Sequence, residues 1–327
     1  MKQEKDNLWS ALVKKVGLQK IIAVSVLILI YLFFAASSES FRRMDTLVSI
    51  FDSSYHIGFM AIGVTFVIIT GGIDLSIGTV MMCSAIIGGV LYNNLGLPLW
   101  ISLIAMVGVG GLFGFLNGIM VAKFKLPAFI ATLGTMMISR GLGSIISNVQ
   151  SVSFPLRGSD GGWYKDIFRT GSNFPTGIFV LIAAAVIATV VLNKTRLGRY
   201  VFAIGSNSEA TRLSGVNVVK WQALAYVISG LCAGIAGIAY SATFTTILPG
   251  SGGGMELDAI AAVVVGGTSL AGGVGSVSGT FIGVFIMTVL QVGLPFIGLQ
   301  PHYQTFITGI VVILAVYADI YRNRKKA

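Results

Sequence analysis

Charge is what this chain has least of. Its 327 residues include 22 Lys and Arg and 12 Asp and Glu, a charged share of 10% beside an apolar share of 55%, where a soluble domain carries about 25% charged residues. A soluble globule of this composition would have too few polar groups to cover its surface. Composition therefore places the chain among polytopic helical membrane proteins, and a mean hydropathy of +0.87 agrees. Cysteine is almost missing. Cys83 and Cys232 each sit in an apolar run without metal-ligand neighbours, which argues against a disulfide framework or a metal site and leaves both as packing residues. His56 and His302 are isolated from acidic and cysteine neighbours at ligand spacing, so neither is expected to be catalytic or metal-binding. There is no Gly-x-Ser-x-Gly elbow, no His-Glu-x-x-His, no P-loop and no pair of carboxylates on one face. Hence no catalytic residue, metal or cofactor is expected in the chain itself. With only 7 prolines and no low-complexity linker, residues 1–327 read as a single transmembrane domain.

Glycine, in contrast, is plentiful: 42 residues, about twice the ordinary share. Lipid gives one helix no hydrophobic reason to leave it for another, so membrane helices associate by close backbone approach, which small residues permit. Gly110, Gly114 and Gly118 form such a stripe, and Gly230/Gly234 and Gly279/Gly283 repeat the spacing. A hydrocarbon core of ~30 Å takes about 20 apolar residues per helix. On that measure the sequence predicts an all-α protein with about ten transmembrane helices, roughly at 19–36, 54–70, 75–92, 98–121, 127–148, 176–192, 221–244, 257–270, 276–295 and 303–320. With both termini in the cytoplasm, the basic residues before 21, Lys123, Lys125, those of 193–220 and those after 321 all fall inside. Only Arg42, Arg43, Arg157, Lys165 and Arg169 fall outside, so the positive-inside bias supports this orientation in a bacterial cytoplasmic membrane. It also accounts for the net charge of +10 without nucleic acid. The first apolar run ends Ala35-Ala36-Ser37-Ser38, small residues of the kind a signal peptidase accepts; the long polar stretch before it favours a retained helix. The longest extracytoplasmic loop is expected at about 149–175.

Several polar positions stand out within the apolar background. Asp74, in Gly71-Gly72-Ile73-Asp74-Leu75-Ser76, is a carboxylate embedded between spans, where charge is expensive. It reads either as a switch in a translocation path or as a cap for the third span. Glu256 and Asp258 suit a helix start facing the exterior. The run from Gly266 and Gly267 to Gly272 and Gly273 breaks the next helix in a manner like Gly71 and Gly72, and favours a re-entrant or gate-like turn. A phosphate-cradling loop is its rival, though no Lys-Ser/Thr follows. The likeness of the two breaks hints at an internal duplication that glycine-rich membrane sequences also mimic. Arg140 interrupts the fifth span, and either lines a polar path or snorkels to an interface. Gln304 stands with Gln300, His302 and Tyr303 at the mouth of the last span, a mixture that suits sugars and equally an interfacial belt. Asn117, Phe129, Thr132, Arg140, Gln304 and Asp74 are the candidate path residues.

One long polar segment, about 193–220, interrupts this membrane-soluble chain. Within it Glu209, Ala210 and Gly215 have the Glu-Ala-x-x-x-x-Gly spacing with which permease subunits of ATP-driven importers present a short helix to their ATPases; Asn207, Thr211 and Ser214 complete the expected contact. Three further segments, 63–78, 127–134 and 256–270, together with the tail from Gln304 to Asp319, extend the likeness over nearly the whole chain. The chain resembles the ribose/xylose/galactoside-type sugar permeases of ABC importers, in the superfamily that also holds branched-chain amino-acid permeases. That resemblance implies a ten-helix permease pairing with a second copy or a paralogue, an ABC ATPase dimer carrying ATP-Mg, and an extracytoplasmic sugar-binding protein. The outer basic residues Arg42, Arg43, Arg157, Lys165 and Arg169 are candidates for docking that protein. Thr211 stands where the general importer motif prefers Ala. Two other functions remain in view: an ion-coupled secondary transporter, which would usually need more midplane charge than Asp74 and Arg140, and an importer permease for another small solute such as a branched-chain amino acid.

Overall fold

The computed structural model describes residues 18–170 and 174–324. Lys2, Lys5, Lys14, Lys15, Lys325, Lys326 and positions 171–173 of the long loop lie outside the described residues. The protein is an all-α membrane protein. Its helices are α1 (Leu18–Ser37), α2 (Met44–Ile69), α3 (Ile77–Asn93), α4 (Leu99–Gly118), α5 (Ala128–Ile146), the short α6 (Lys165–Phe168), α7 (Gly177–Lys194), α8 (Arg196–Ser206), α9 (Ser208–Leu213), α10 (Val218–Phe244), α11 (Met255–Val265), α12 (Val277–Gly293) and α13 (Pro301–Arg324). Helix starts follow local chemistry: Pro98 and Pro127 precede α4 and α5, and the side chains of Asn217 and Ser276 accept the Lys220 and Gly279 N–H groups at the starts of α10 and α12. The sheet content among the described residues is one antiparallel pair, β1 (Val152–Ser153) on β2 (Thr246–Ile247), with Val152 opposite Ile247.

The glycine stripes are packing seams. A Cβ on Gly110 or Gly114 would collide with backbone atoms of Gly230, and one on Gly230 would collide with Gly110, so α4 and α10 touch along bare backbone. The same is true of α11 and α12, where Gly279 abuts Gly266 and Gly283 abuts Ala262. α2 is the central helix, buried over almost its whole length and covered by α10, α11, α12 and α7. α1 packs on α12 through Phe34, which sits on Gly293.

Eight described helices are long and apolar enough to cross a membrane. The other two of the expected ten spans are shorter, and both are tucked inside the bundle: α3 with 17 residues and α11 with 11. At 1.5 Å per residue α11 is only about 16 Å long, half the hydrocarbon thickness. Gly266 and Gly267, which follow its last turn, lie against Gly279 and Gln19, near the starts of α12 and α1. Those starts share one end of the bundle with the 193–220 segment, so α11 begins well inside the protein. Glu256, expected to face the exterior, is therefore buried at 6% exposure with its carboxylate against Gly78 at the start of α3. The sequence misleads here because an apolar run counts hydrophobic residues but not hydrogen bonds. Gly267, Gly272 and Gly273 take positive φ values of 95°, 86° and 72°, and the helix ends at Val265, short of the expected span end at 270.

Candidate functional site

The 193–220 segment folds as two helices in tandem. α8 ends at Ser206; Asn207 is extended, and its side-chain oxygen accepts the Ala210 N–H at 2.9 Å, starting α9. α9 closes on a left-handed glycine. Gly215 has φ 81°, its N–H donates to Arg212 O at 3.0 Å, and the Val216 N–H donates to Thr211 O at 3.4 Å, the two bonds of a Schellman cap. Thr211 is buried and donates its hydroxyl to Asn207 O at 2.7 Å, a bond that Ala at this position would lack. Glu209, Ala210, Leu213 and Ser214 are exposed. The Glu209 carboxylate is bridged by Arg212 through Nη2 at 2.5 Å and Nε at 3.1 Å, and that hydrogen-bonded pair holds its pKa below the usual range. The result is a short, capped helix with a polar and apolar surface turned outward.

Its foundation is the junction of the two glycine breaks. A Cβ on Gly205, at the end of α8, would overlap both Ile69 O and Gly273 N, so the segment contacts the end of α2 and the second break at one point. There the Gly273 N–H donates to Ile69 O at 2.9 Å, joining the first break to the second. Gly71 (φ 79°) and Gly72 pass beside Ala271 and the Tyr226 hydroxyl. Around this junction lies a cavity of about 840 Å³ lined by Gly71, Gly72, Lys125, Asn207, Glu209, Arg212 and Gln222 among others.

From the first break a buried polar network runs into the bundle. Asp74 is 1% exposed. One of its oxygens accepts the Ser76 N–H at 3.0 Å and the Ser76 hydroxyl at 2.7 Å; the other accepts the Ser229 hydroxyl of α10 at 2.8 Å. The Asn117 amide of α4 donates to Ser76 Oγ at 2.9 Å, and Thr135 of α5 donates to Asn117 Oδ1 at 2.6 Å. Asp74 thus does more than bind backbone at a helix start, since its carboxylate ties α3 to α10 and, through Ser76 and Asn117, to α4 and α5. The second break has its own carboxylate: Asp319 of α13 accepts the Ser269 hydroxyl at 2.8 Å and the Leu270 N–H at 3.1 Å.

The model of one protein family, described as the permease component of branched-chain amino acid transport systems, matches residues 46–316. The chain belongs to that family. Its relatives include the ribose import permease protein RbsC of Escherichia coli K12, 38% identical over 312 residues that cover 94% of each chain. The fructose import permease protein FrcC of Rhizobium meliloti is 37% identical over 80% of this chain and 74% of its own. The galactose/methyl galactoside import permease protein MglC of Haemophilus influenzae is 34% identical over 92% and 94%. No solved structure matches significantly.

In this permease the expected path residues fall into separate groups. Asp74 and Asn117 belong to the buried network, and Thr132 is buried beside it with its hydroxyl on Ala128 O at 2.9 Å. Phe129 and Arg140 are exposed on the outward face of α5, where Gly134 and Gly141 leave open space. The Arg140 guanidinium reaches toward Gly250 and Gly253 of the loop that leads into α11. Gln304 is half-buried on α13 and takes no part in the network. Of the outer basic residues, Arg42 and Arg43 are exposed, Arg157 pairs with Asp166 at 2.7 Å, Arg169 pairs with Asp52, and Lys165 is buried. Sequence reading missed Gly205, Ser229, Thr135 and Asp319. Gly205 lay in a segment already singled out, while lone hydroxyls in spans carry no pattern.

This grouping makes a direct prediction. If the outward face of α5 lines an aqueous route, cysteines at 129 and 140 in a Cys83→Ala/Cys232→Ala background should react with small aqueous thiol reagents in the resting permease and cysteines at 117 and 132 should not, whereas an α5 face turned to lipid would leave all four unlabelled. Protection at 140 together with labelling at 117 would reverse the assignment of faces.

Proposed function

We propose that this permease is the membrane subunit of an ATP-driven, binding-protein-dependent importer of a monosaccharide. The observation that carries the reading is likeness along nearly the whole chain to relatives named for ribose, fructose and galactose import. Those names also favour a sugar over a branched-chain amino acid as the solute. In the orientation supported by the basic residues, both termini and the 193–220 segment face the bacterial cytoplasm. There α9 docks on an ABC ATPase, through Glu209, Ala210 and Ser214 on a helix shaped by Asn207, Thr211 and Gly215. ATP-Mg is bound and hydrolysed on that partner. Closure of the ATPase dimer moves α8 and α9, and the Gly205 contact passes the motion to the breaks at Gly71, Gly72, Gly266, Gly267, Gly272 and Gly273. The sugar passes between this permease and a second copy or paralogue, along a route that includes the α5 face with Phe129 and Arg140. Few polar groups line that face, which suits weak holding and rapid release of a sugar selected by an extracytoplasmic binding protein.

Co-reconstitution in proteoliposomes tests this directly. Uptake of labelled ribose, fructose or galactose should require the ATPase, ATP and the sugar-binding protein together, and ion-driven uptake by the permease alone would overturn the reading. In the same assembly Gly215→Leu should leave membrane insertion intact and reduce sugar moved per ATP at least tenfold. The left-handed backbone at Gly215 disfavours any L side chain by about 1–2 kcal/mol, so the cap of α9 and its docking pose change together. Normal coupling in that variant would remove α9 from the ATPase contact.

A further inference from the structure

At the opposite end of the bundle from α9, Lys165 is 5% exposed, and its ammonium donates to the Thr245 hydroxyl at 2.7 Å. No carboxylate among the described residues pairs with it, since Asp52 is taken by Arg169 and Asp166 by Arg157. Burial pushes the Lys165 ammonium below its usual range, as expected of a cation that has lost water without gaining an anion. It does not lie in a filled core. Asp52, Arg157, Lys165, Phe168, Arg169 and Thr245 line a cavity of about 240 Å³. Three cations and one carboxylate thus surround an opening with an uncompensated positive charge. One turn of helix, at about 10 Å diameter and 5.4 Å pitch, would not fit in it; a single side chain would.

We propose that this cavity receives one carboxylate side chain of the extracytoplasmic sugar-binding partner, with the Lys165 ammonium as its counter-ion. The inference rests on the orientation and partner set proposed above. Charge complementarity selects the occupant: a carboxylate supplies the missing negative charge, and a neutral sugar hydroxyl does not. Arg42 and Arg43, exposed on the same end, attract the partner at longer range, but solvent screens them. The site is also placed to report occupancy. Thr245 carries a positive φ of 57°, unusual for a β-branched residue, and its carbonyl accepts the Phe154 N–H at 2.8 Å. It is the pivot from α10 into the loop that descends to Gly252 and α11. A carboxylate that draws Lys165 away from the Thr245 hydroxyl therefore loosens the connection to that loop.

The test uses the complete assembly of permease, ATPase and the sugar-binding protein that stimulates the wild type. Lys165→Met removes the charge while keeping most of the stem. Because it replaces an unpaired buried cation by an apolar group, the variant should fold at least as well as the wild type. Its apparent Kd for the sugar-loaded binding protein should rise at least tenfold at both low and high salt. Arg42→Gln/Arg43→Gln should weaken binding at low salt only. Lys165→Arg should recover part of the affinity, and an Asp or Glu of the partner changed to Lys should be rescued by Lys165→Glu. A wild-type Kd in Lys165→Met, in an assembly whose ATPase responds to the binding protein, would overturn this inference and leave the importer reading standing. Competition by free acetate or phosphate with no effect of Lys165→Met on binding-protein affinity would identify a small-anion site and likewise overturn it. An assembly that never responds to a binding protein would defeat the importer reading beneath it.

Discussion

In the proposed importer, Gly205→Ala is expected to abolish most ATP-driven uptake, although it adds a single methyl group. That methyl has no free position: it would overlap Ile69 O at the end of α2 and Gly273 N in the second break, both of them backbone atoms. Backbone cannot move aside as a flexible side chain can, so α8 must separate from the two breaks or the Ile69–Gly273 hydrogen bond must open. Overpacking of this kind disfavours the native arrangement by about 1–3 kcal/mol. Here the loss falls where the 193–220 segment meets both glycine breaks. Uptake per ATP should fall at least tenfold, with a lower thermal denaturation midpoint in detergent. Gly108→Ala on α4 is the control, because a Cβ there meets nothing within 4 Å, and helix propensity alone makes that change neutral or mildly stabilising. If the two variants transport and denature alike, the contact at Gly205 is not a point of transmission.

Asp74→Ala should be the most destabilising single change within the membrane domain. It strands the Ser76 N–H and the Ser76 and Ser229 hydroxyls in a buried region, with each unsatisfied group worth about 1–3 kcal/mol. The hydroxyls can rotate to other acceptors and the terms do not add fully, so a net loss of about 3–5 kcal/mol is expected. Asp74→Asn keeps the shape and one acceptor oxygen, and should lose about half as much. Folded yield and denaturation midpoint should therefore rank wild type, Asp74→Asn, Asp74→Ala. An alanine variant as stable as the wild type would mean that the network does not hold α3 to α10. A second comparison grades the network: Ser229→Ala removes one of three donors and should be milder than Asp74→Ala on stability.

The sequence already carried the class of this protein and the location of its working parts. Low charge and long apolar runs leave no soluble alternative, and small-residue stripes at a spacing of four become seams because only bare backbone lets α4 and α10 touch. Asn207, Glu209, Ala210 and Gly215 were legible as a short presented helix, since capping and left-handed closure are local chemistry within one turn. The two glycine breaks were also visible, as pairs of residues that no apolar helix needs.

Their meeting was not visible, because contact between Ile69, Gly205 and Gly273 joins three stretches far apart in the chain. The tertiary structure also decided that α11 is half a span, that Asn117 and Thr132 are buried while Phe129 and Arg140 are exposed, and that Lys165 finds no carboxylate among the described residues as Arg157 and Arg169 find theirs. Each of these turns on which way a helix faces or which distant partner arrives. In a chain whose helices are apolar on nearly every side, hydrophobic periodicity says little about either; steric fit between backbones and the satisfaction of a few buried polar groups settle both.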